Sequence, residues 1–270
     1  KIAGDLAWRD LPLGSALAVS LSYTQLENDF TATGLGFTPA HLATLANLNR
    51  TTFEGDIDYT NAAIALSSRP LDKLDTKIYY RYTERDNNSS IISYGLVPAT
   101  ASTNNARELL SFEKNTAGID LGYRLPQKTK LAAGYEYLDT DRSTALPAFS
   151  DATTFYRYDN PASTTDDTVY LGLKNSSLDW LTAKIKYTRL DRDSELNLTN
   201  VLPAAQPIYT TRFDTQDKIM DEWKLGLELY PAESLDLGLE FKYQHHDYDE
   251  NNSSRIDEKR QRVFADFTWR

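Results

Sequence analysis

The feature of this sequence that most constrains its fold is a repeated two-residue alternation of apolar and polar side chains. In the segment 16–24, one face of an extended chain would carry Leu17, Val19, Leu21 and Tyr23, with small or polar residues between them. Successive side chains of a β-strand point to opposite faces, so the alternation predicts a strand with two different environments. About eleven such segments follow one another, which predicts an all-β protein.

The connections between these segments alternate between short and long. Short connections are expected near residues 10–15, 69–75, 126–129, 176–181 and 231–234. Long ones, rich in Asn, Asp, Ser, Thr and Pro, are expected near residues 28–51, 87–106, 141–166, 193–216 and 250–259. Tight turns at one end of a sheet and long polar loops at the other are typical of bacterial outer-membrane barrels. We therefore predict a transmembrane antiparallel meander β-barrel, with residues 1–270 forming a single region of it.

One segment departs from the simple alternation. Within residues 52–68, the apolar positions change parity between Tyr59 and Ala62. A β-bulge, which inserts one extra residue into one strand of a pair, is one explanation for such a shift.

Aromatic residues concentrate near the ends of the predicted strands. Near the long-loop end lie Tyr23, Tyr82, Tyr137, Tyr187 and Tyr243, and near the short-turn end lie Trp8, Trp180, Tyr230 and Trp269. Amphipathic rings favour the headgroup level of a bilayer, which predicts an aromatic girdle at each membrane surface. The alternative is that tyrosine simply has a high β-propensity.

The two ends of the sequence resemble each other. Residues 3–9 read AGDLAWR and residues 264–270 read FADFTWR, and both segments would run toward the short-turn side. A meander whose first and last strands run in the same direction cannot close by ordinary antiparallel pairing. We therefore expect a fragment of a larger barrel, or a barrel that lacks strands at one end.

Composition excludes several classes of protein. No stretch approaches the roughly 18 apolar residues of a transmembrane helix. The net charge of -10 argues against a nucleic-acid partner, which would require a basic face. The absence of Cys excludes disulfides, thiolate metal sites, cysteine nucleophiles and the C-x-x-C-H haem-attachment motif within this chain. No signal peptide is visible, so we interpret the sequence as a mature or truncated chain.

Candidate sites in the sequence are few, and we expect no catalytic, cofactor-binding or metal-binding residue. The histidines are His41, His245 and His246, and the last two would point to opposite faces of one strand. A G-x-S-x-G motif is absent. Acidic pairs recur at the long-loop end: Glu27/Asp29, Glu84/Asp86, Asp139/Asp141, Asp191/Asp193 and Asp247/Asp249. They could hold Ca²⁺ or Mg²⁺ and bridge lipopolysaccharide phosphates, although simple solvation of the loop bases is the favoured interpretation.

The residues predicted to face the barrel interior mix charged with small side chains. The charged set is Lys77, Arg81, Arg124, Glu136, Lys174, Lys184, Lys186, Lys224, Glu228, Glu240 and Lys242. The small set is Ala18, Ser20, Ser22, Gly118, Gly122, Ala132, Gly134, Gly172, Gly226 and Gly238. A polar wall suits a water-filled pore. Small residues either let an enclosed protein approach closely or relieve crowding between strands, and the sequence leaves these alternatives open.

The hairpin at residues 69–88 resembles a recurring unit of the decahaem-associated outer-membrane proteins, the MtrB/PioB-like porins. The matching residues are Ser68, Arg69, Pro70, Leu74, Tyr80, Arg81, Tyr82, Arg85, Asp86 and Asn87, and residues 173–193 form a weaker second copy. Members of that family are commonly longer, and some carry a Cys pair that this chain lacks.

The resemblance implies a barrel in the bacterial outer membrane, in contact with lipid and lipopolysaccharide. It further implies that the barrel sheathes a multihaem c-type cytochrome for transmembrane electron transfer. The haem c would belong to that partner, and the barrel itself would have no catalytic residue. A general or solute-specific diffusion porin is the second hypothesis, and an outer-membrane enzyme or adhesin is the third.

Overall fold

The computed structural model of the chain describes residues 1–31, 52–90, 93–95, 104–106, 109–145, 163–195, 216–248 and 256–269. Its strands are β1 (Ile2–Leu11), β2 (Ser15–Thr31), β3 (Thr52–Leu71), β4 (Leu74–Asn87), β5 (Ser93–Gly95), β6 (Asn104–Ala106), β7 (Leu109–Leu125), β8 (Thr129–Ala145), β9 (Ser163–Leu178), β10 (Leu181–Glu195), β11 (Lys218–Ala232), β12 (Leu235–Tyr248) and β13 (Asp257–Trp269). None of the helices in the described residues is long and apolar enough to cross a bilayer.

Eleven of these strands form one sheet, in the order β1-β2-β3-β4-β7-β8-β9-β10-β11-β12-β13. Every neighbouring pair in this sheet is antiparallel, and the short strands β5 and β6 pair separately with each other. The predicted all-β antiparallel meander of about eleven strands is therefore confirmed.

The five predicted short connections are also confirmed, because each lies between two paired strands. The first is a 3-10 turn at Pro12–Gly14, and the others leave two or three residues between strands. The long connections begin later than the sequence suggests, since β2 continues to Thr31 and β8 to Ala145. These strands have 17 residues each, well beyond the roughly ten that a tilted strand needs to cross a bilayer.

The sheet has one apolar face and one polar face along most of its width. A row of directly paired residues on the apolar face reads Leu66, Ile78, Ile119, Tyr135 and Val169 from β3 to β9. The adjacent row on the polar face reads Lys77, Asp120, Gly134, Tyr170 and Thr188 from β4 to β10. A one-residue slip would exchange these environments, so the alternation fixes the register of each strand.

The apolar face is not covered by any part of the chain that the structure describes. Only two hydrophobic residues are buried in those parts, Leu109 and Tyr248. By contrast, Leu6 is 61% exposed, Leu171 is 54% exposed and Phe267 is 73% exposed. An apolar surface of this extent is unstable in water, so the sheet requires an apolar environment on this face.

The expected bulge in β3 is wrong. The pairing of β2 with β3 is continuous from Thr31 opposite Thr52 to Ala16 opposite Ser67. The apparent parity change arises because Tyr59 lies on the polar face, where its hydroxyl accepts a hydrogen bond from Arg85 Nε at 3.1 Å. An apolar-looking residue on the polar face was therefore mistaken for a shift in register.

The sheet has two unpaired edges within the described residues. Strand β1 pairs only with β2, and β13 pairs only with β12. Eleven antiparallel strands alternate in direction, so β1 and β13 run the same way. The prediction that the first and last strands cannot close the sheet by antiparallel pairing is confirmed.

Candidate functional site

The polar face is the candidate functional surface, and the predicted interior residues all lie on it. Their cross-strand register places both the charged set and the small set on one side of the sheet. Direct contacts between charged members confirm this, because Arg81 Nη2 lies 2.7 Å from Glu136 Oε2 and Lys224 Nζ lies 2.9 Å from Glu240 Oε2. Alternation along each strand was sufficient to identify this surface.

Two tyrosines that the sequence interpretation did not single out organise part of this face. The Tyr79 hydroxyl donates to Glu136 Oε2 at 2.6 Å, and that same oxygen accepts the hydrogen bond from Arg81. The Tyr170 hydroxyl donates to Asp120 Oδ1 at 2.6 Å. These bonds connect residues 50 or more positions apart, so they tie together hairpins that are distant in sequence.

The rings of these tyrosines explain two of the predicted small residues. A Cβ atom added at Gly118 would collide with the Tyr79 ring, and one added at Gly134 would collide with the Tyr170 ring. The alternative of relieved crowding is therefore correct at these two glycines, because the space is filled by the chain itself. At Gly226, by contrast, the nearest atom to an added Cβ is Lys184 Cβ at 3.7 Å, an ordinary contact.

From β7 to β12, the polar face is a charged wall. We define the charged wall as Arg124, Lys130, Glu136, Lys174, Lys184, Lys186, Lys224, Glu228, Glu240 and Lys242. Several of its cations have carboxylate partners: Arg124 lies 2.5 Å from Asp75, Lys184 contacts Glu228, and Lys242 lies 2.6 Å from Glu222. Many of these groups are about half exposed, so each pair contributes only modestly to stability.

From β1 to β3, the same face is a small wall. We define the small wall as Ala3, Ala7, Ala16, Ala18, Ser20, Ser22, Ala63, Ala65 and Ser67. Asp5 lies among these residues, opposite Ser20. Ala18 illustrates the wall, since its direct neighbours on both sides, Ala7 and Ala65, are also alanines.

The apolar face ends in a repeated hydrogen bond at the level of the tyrosines. Tyr23 donates to Asp58 at 2.5 Å, Tyr187 donates to Asp221 at 2.5 Å, and Tyr135 donates to Asp167. Tyr80 donates to Asn115 in the same way, at 2.5 Å. In each case the acceptor lies on the next sheet strand, two residues beyond the direct partner of the tyrosine. We call this repeated arrangement the tyrosine diagonal.

The predicted girdle residues that lie on strands face the apolar side with one exception, and Trp180 lies in the turn between β9 and β10. Tyr82, Tyr137 and Tyr243 lie on the apolar face together with Tyr23 and Tyr187. At the short-turn end, Trp8 pairs with Leu17 and Trp269 with Leu235, also on that face. The placement of Tyr230 in the girdle is wrong. It follows Leu229 of the apolar face, so it turns to the polar face, where its hydroxyl donates to Glu228 Oε2 at 3.2 Å.

The histidines and acidic pairs do not assemble into a metal site in the described parts of the chain. No group of three or more His, Asp or Glu side chains there could hold a metal ion. His245 and His246 point to opposite faces as expected, with His245 Nε2 2.9 Å from Asp257 Oδ1. Both ring nitrogens of His246 are buried, and neither has a hydrogen-bond partner among the described residues. His41 and Asp249 lie outside the described residues.

Comparison with solved structures finds distant neighbours. The chain has 10% identity and a TM-score of 0.42 to a structure titled CymD monoaromatic hydrocarbon channel, covering 98% of this chain and 71% of that one. It has 14% identity and a TM-score of 0.42 to a double mutant of the Serratia marcescens hemophore receptor HasR, in complex with its hemophore HasA and heme. That match covers 98% of this chain and 50% of the receptor.

Comparison at the sequence level gives a family. No curated protein matches the chain significantly. A family model described as an outer membrane beta-barrel porin, MtrB/PioB, matches residues 7–266. This match covers all eleven strands of the sheet, in whole or in part, and it includes the hairpin at residues 69–88. The chain therefore belongs to the MtrB/PioB family of β-barrel porins of the bacterial outer membrane.

Proposed function

We propose that this barrel wall encloses a multihaem c-type cytochrome and separates its haems from the lipid, so that electrons can cross the outer membrane. In this arrangement the apolar face contacts lipid and the polar face contacts the cytochrome. The haem c would be attached to the partner, since this chain has no Cys with which to form the thioether bonds. The barrel would act by holding and insulating its partner, not by a reaction of its own.

The small wall is the observation that carries this proposal. Alanine methyl groups gain nothing from contact with water, so a row of alanines is poorly suited to lining an open aqueous channel. Against the surface of an enclosed protein, the same row is buried and allows close approach of backbone to backbone. Unlike Gly118 and Gly134, which face tyrosine rings, Ala18 has an alanine as its direct partner on each side, Ala7 and Ala65.

The charged wall favours a second candidate function, a diffusion porin. The side chains of Lys184 and Lys224 are 45% and 44% exposed, although each forms an ion pair. Charged groups that remain accessible to solvent are typical of a water-filled lumen, where they select among ions or solutes. The two functions predict a different haem content and a different ion conductance for the purified barrel.

A pair of neighbouring substitutions on opposite faces of β3 tests the proposal. Ala65→Trp would place a large ring on the small wall, whereas Ile64→Trp would place it on the apolar face one residue away. The chain would be tagged, extracted from outer membranes in mild detergent, and examined for the visible absorption of c-type haem. We expect haem to copurify with the wild type and with Ile64→Trp, and to be reduced at least severalfold with Ala65→Trp.

Conductance distinguishes the second candidate. A diffusion porin would be purified without any haem protein. It would conduct ions in a planar lipid bilayer, and the Ala65→Trp substitution would lower this conductance. If the wild type shows channels of this kind and no haem absorption, the sheath proposal is wrong.

A further inference from the structure

A continuous row of basic side chains crosses the charged wall and extends beyond it. Its members are directly paired from strand to strand, apart from one step of two residues along β10. We call it the basic row, and it consists of Arg124, Lys130, Lys174, Lys184, Lys186, Lys224, Lys242 and Arg262. It begins one residue from the end of β7 and reaches the middle of β11, β12 and β13.

This arrangement opposes the stability of the sheet. Like charges directly opposite each other on neighbouring strands are destabilising, and the basic row contains six such pairs. It also lies within a chain whose net charge is -10, so the positive charge does not reflect overall composition. A local cost of this kind, kept within an otherwise consistent fold, points to a function.

The carboxylates around the basic row offset only part of its charge. Asp75, Glu222, Glu228 and Glu240 form ion pairs with its members, so four carboxylates pair with five of the eight cations in the part of the chain that the structure describes. Lys174, Lys186 and Arg262 form no ion pair with any residue that the structure describes. All three are exposed, and the Lys186 ammonium lies over the Tyr170 ring, at 4.1 Å from its centroid.

We propose that the basic row is a docking strip for an acidic surface of the protein enclosed by the barrel. This inference rests on the proposed function and specifies the chemistry of the partner. Acidic side chains on the partner would pair with the unneutralised cations and would fix its orientation inside the barrel. The small wall on β1–β3 would accept the partner by close contact, and the basic row would hold it by charge.

The length of the basic row favours a protein surface over a small anion. It spans seven strands, roughly 29 Å at a spacing of about 4.8 Å between neighbouring strands. Its cations are distributed along a line and do not converge on one point. A small anion would contact only one or two of them, whereas an extended acidic surface can contact the whole row.

The test compares two variants that each remove two positive charges. Lys174→Gln with Lys186→Gln neutralises two of the three unpaired members of the basic row, and Arg189→Gln with Lys259→Gln neutralises two cations of the apolar-face parity. Native complexes would be captured from outer membranes through a tag on this chain and washed with increasing NaCl. Haem absorbance per barrel would measure how much partner is retained, and planar bilayers would give the anion-to-cation permeability ratio of each barrel.

We expect the basic-row variant to retain about three- to tenfold less haem per barrel than the wild type, and this retention to depend less on the NaCl concentration. The control variant should match the wild type. Equal retention by both variants at every salt concentration would overturn the inference and leave the sheath proposal intact. A change in ion selectivity with unchanged retention would also overturn it, in favour of small anions. Absence of haem from the wild-type complex would instead refute the proposed function.

Discussion

The small wall and the charged wall differ, although both lie behind the same kind of apolar face. Around Ala18 the polar face offers mainly methyl groups and serine hydroxyls, whereas around Tyr170 it offers a phenol, a carboxylate and an ammonium group. The tyrosine diagonal is nevertheless the same behind both, at Tyr23 and at Tyr187. The difference teaches that the apolar face keeps one composition across the sheet, while the composition of the polar face changes from one set of strands to the next.

The two walls also differ in what holds their strands together. Strands β1 to β3 depend mainly on backbone hydrogen bonds and on cross-strand contacts of the apolar face, such as Leu17 with Leu66, with a long side-chain hydrogen bond from Asn61 to Ser22 on the polar face. Strands β7 to β12 add side-chain hydrogen bonds and ion pairs on the polar face. The stability of the charged wall should therefore respond to salt and to side-chain removal more than that of the small wall.

The largest expected effect tests the apolar face, which lies behind both the small wall and the charged wall. Ile64→Arg behind the small wall and Leu227→Arg behind the charged wall each place a cation on the apolar face, partway between the tyrosine diagonal and the short turns. We expect each to lower the free energy of unfolding by about 2–4 kcal/mol, because a buried cation in the bilayer is costly. Denaturant titration in lipid vesicles would measure this. Ala65→Arg is the control, and an equal loss there would contradict the assignment of faces.

The next effect compares how tightly side chains pack on the charged wall and on the small wall. Gly134→Val would displace the Tyr170 ring and break its hydrogen bond to Asp120, at a cost of about 1–3 kcal/mol. Ala18→Val, flanked by alanines, should change stability by less than about 0.5 kcal/mol. Unfolding titrations of both variants check this. Equal costs would mean that the small wall is as tightly packed as the charged wall.

A smaller effect tests whether the tyrosine diagonal is equivalent behind both walls. Tyr23→Phe removes the hydrogen bond to Asp58, and Tyr187→Phe removes the one to Asp221. Each loss should cost about 0.5–1.5 kcal/mol, the usual net contribution of one hydrogen bond. Unfolding midpoints of the two variants should agree within about 0.5 kcal/mol, and a clear disagreement would show that the outer face is not uniform.

The smallest effect concerns salt. Glu228→Gln leaves Lys184 without its carboxylate partner and should cost about 0.2–1 kcal/mol at low ionic strength, because the pair is partly exposed. Added NaCl should shrink the difference, since salt screens exposed charges. Ser20→Ala on the small wall is the matched control and should show neither the loss nor the salt dependence. Unfolding of the two variants would be compared at about 0.05 M and about 0.5 M NaCl.

The sequence was sufficient for features that depend on neighbouring residues. The alternation of apolar and polar residues assigned side chains to one face of the sheet or the other. The composition of the turns located the five short connections. It was insufficient for contacts that depend on register between strands. The Tyr170 ring covers Gly134 across a long connection, and the basic row appears only when Lys174 is aligned with Lys130 and Lys184. Residue type also misled locally, because Tyr59 and Tyr230 are aromatic residues on the polar face.

The tyrosine diagonal has a consequence for how such a barrel can vary in size. Each hydroxyl reaches an acceptor at the same offset on the next sheet strand, in four separate strand pairs. Each of these four strand pairs thus marks the upper limit of its apolar zone in the same way, by a bond between neighbouring strands only. Copying or deleting two adjacent strands that keep this bond would change the circumference of the barrel and would leave its hydrophobic thickness matched to the membrane.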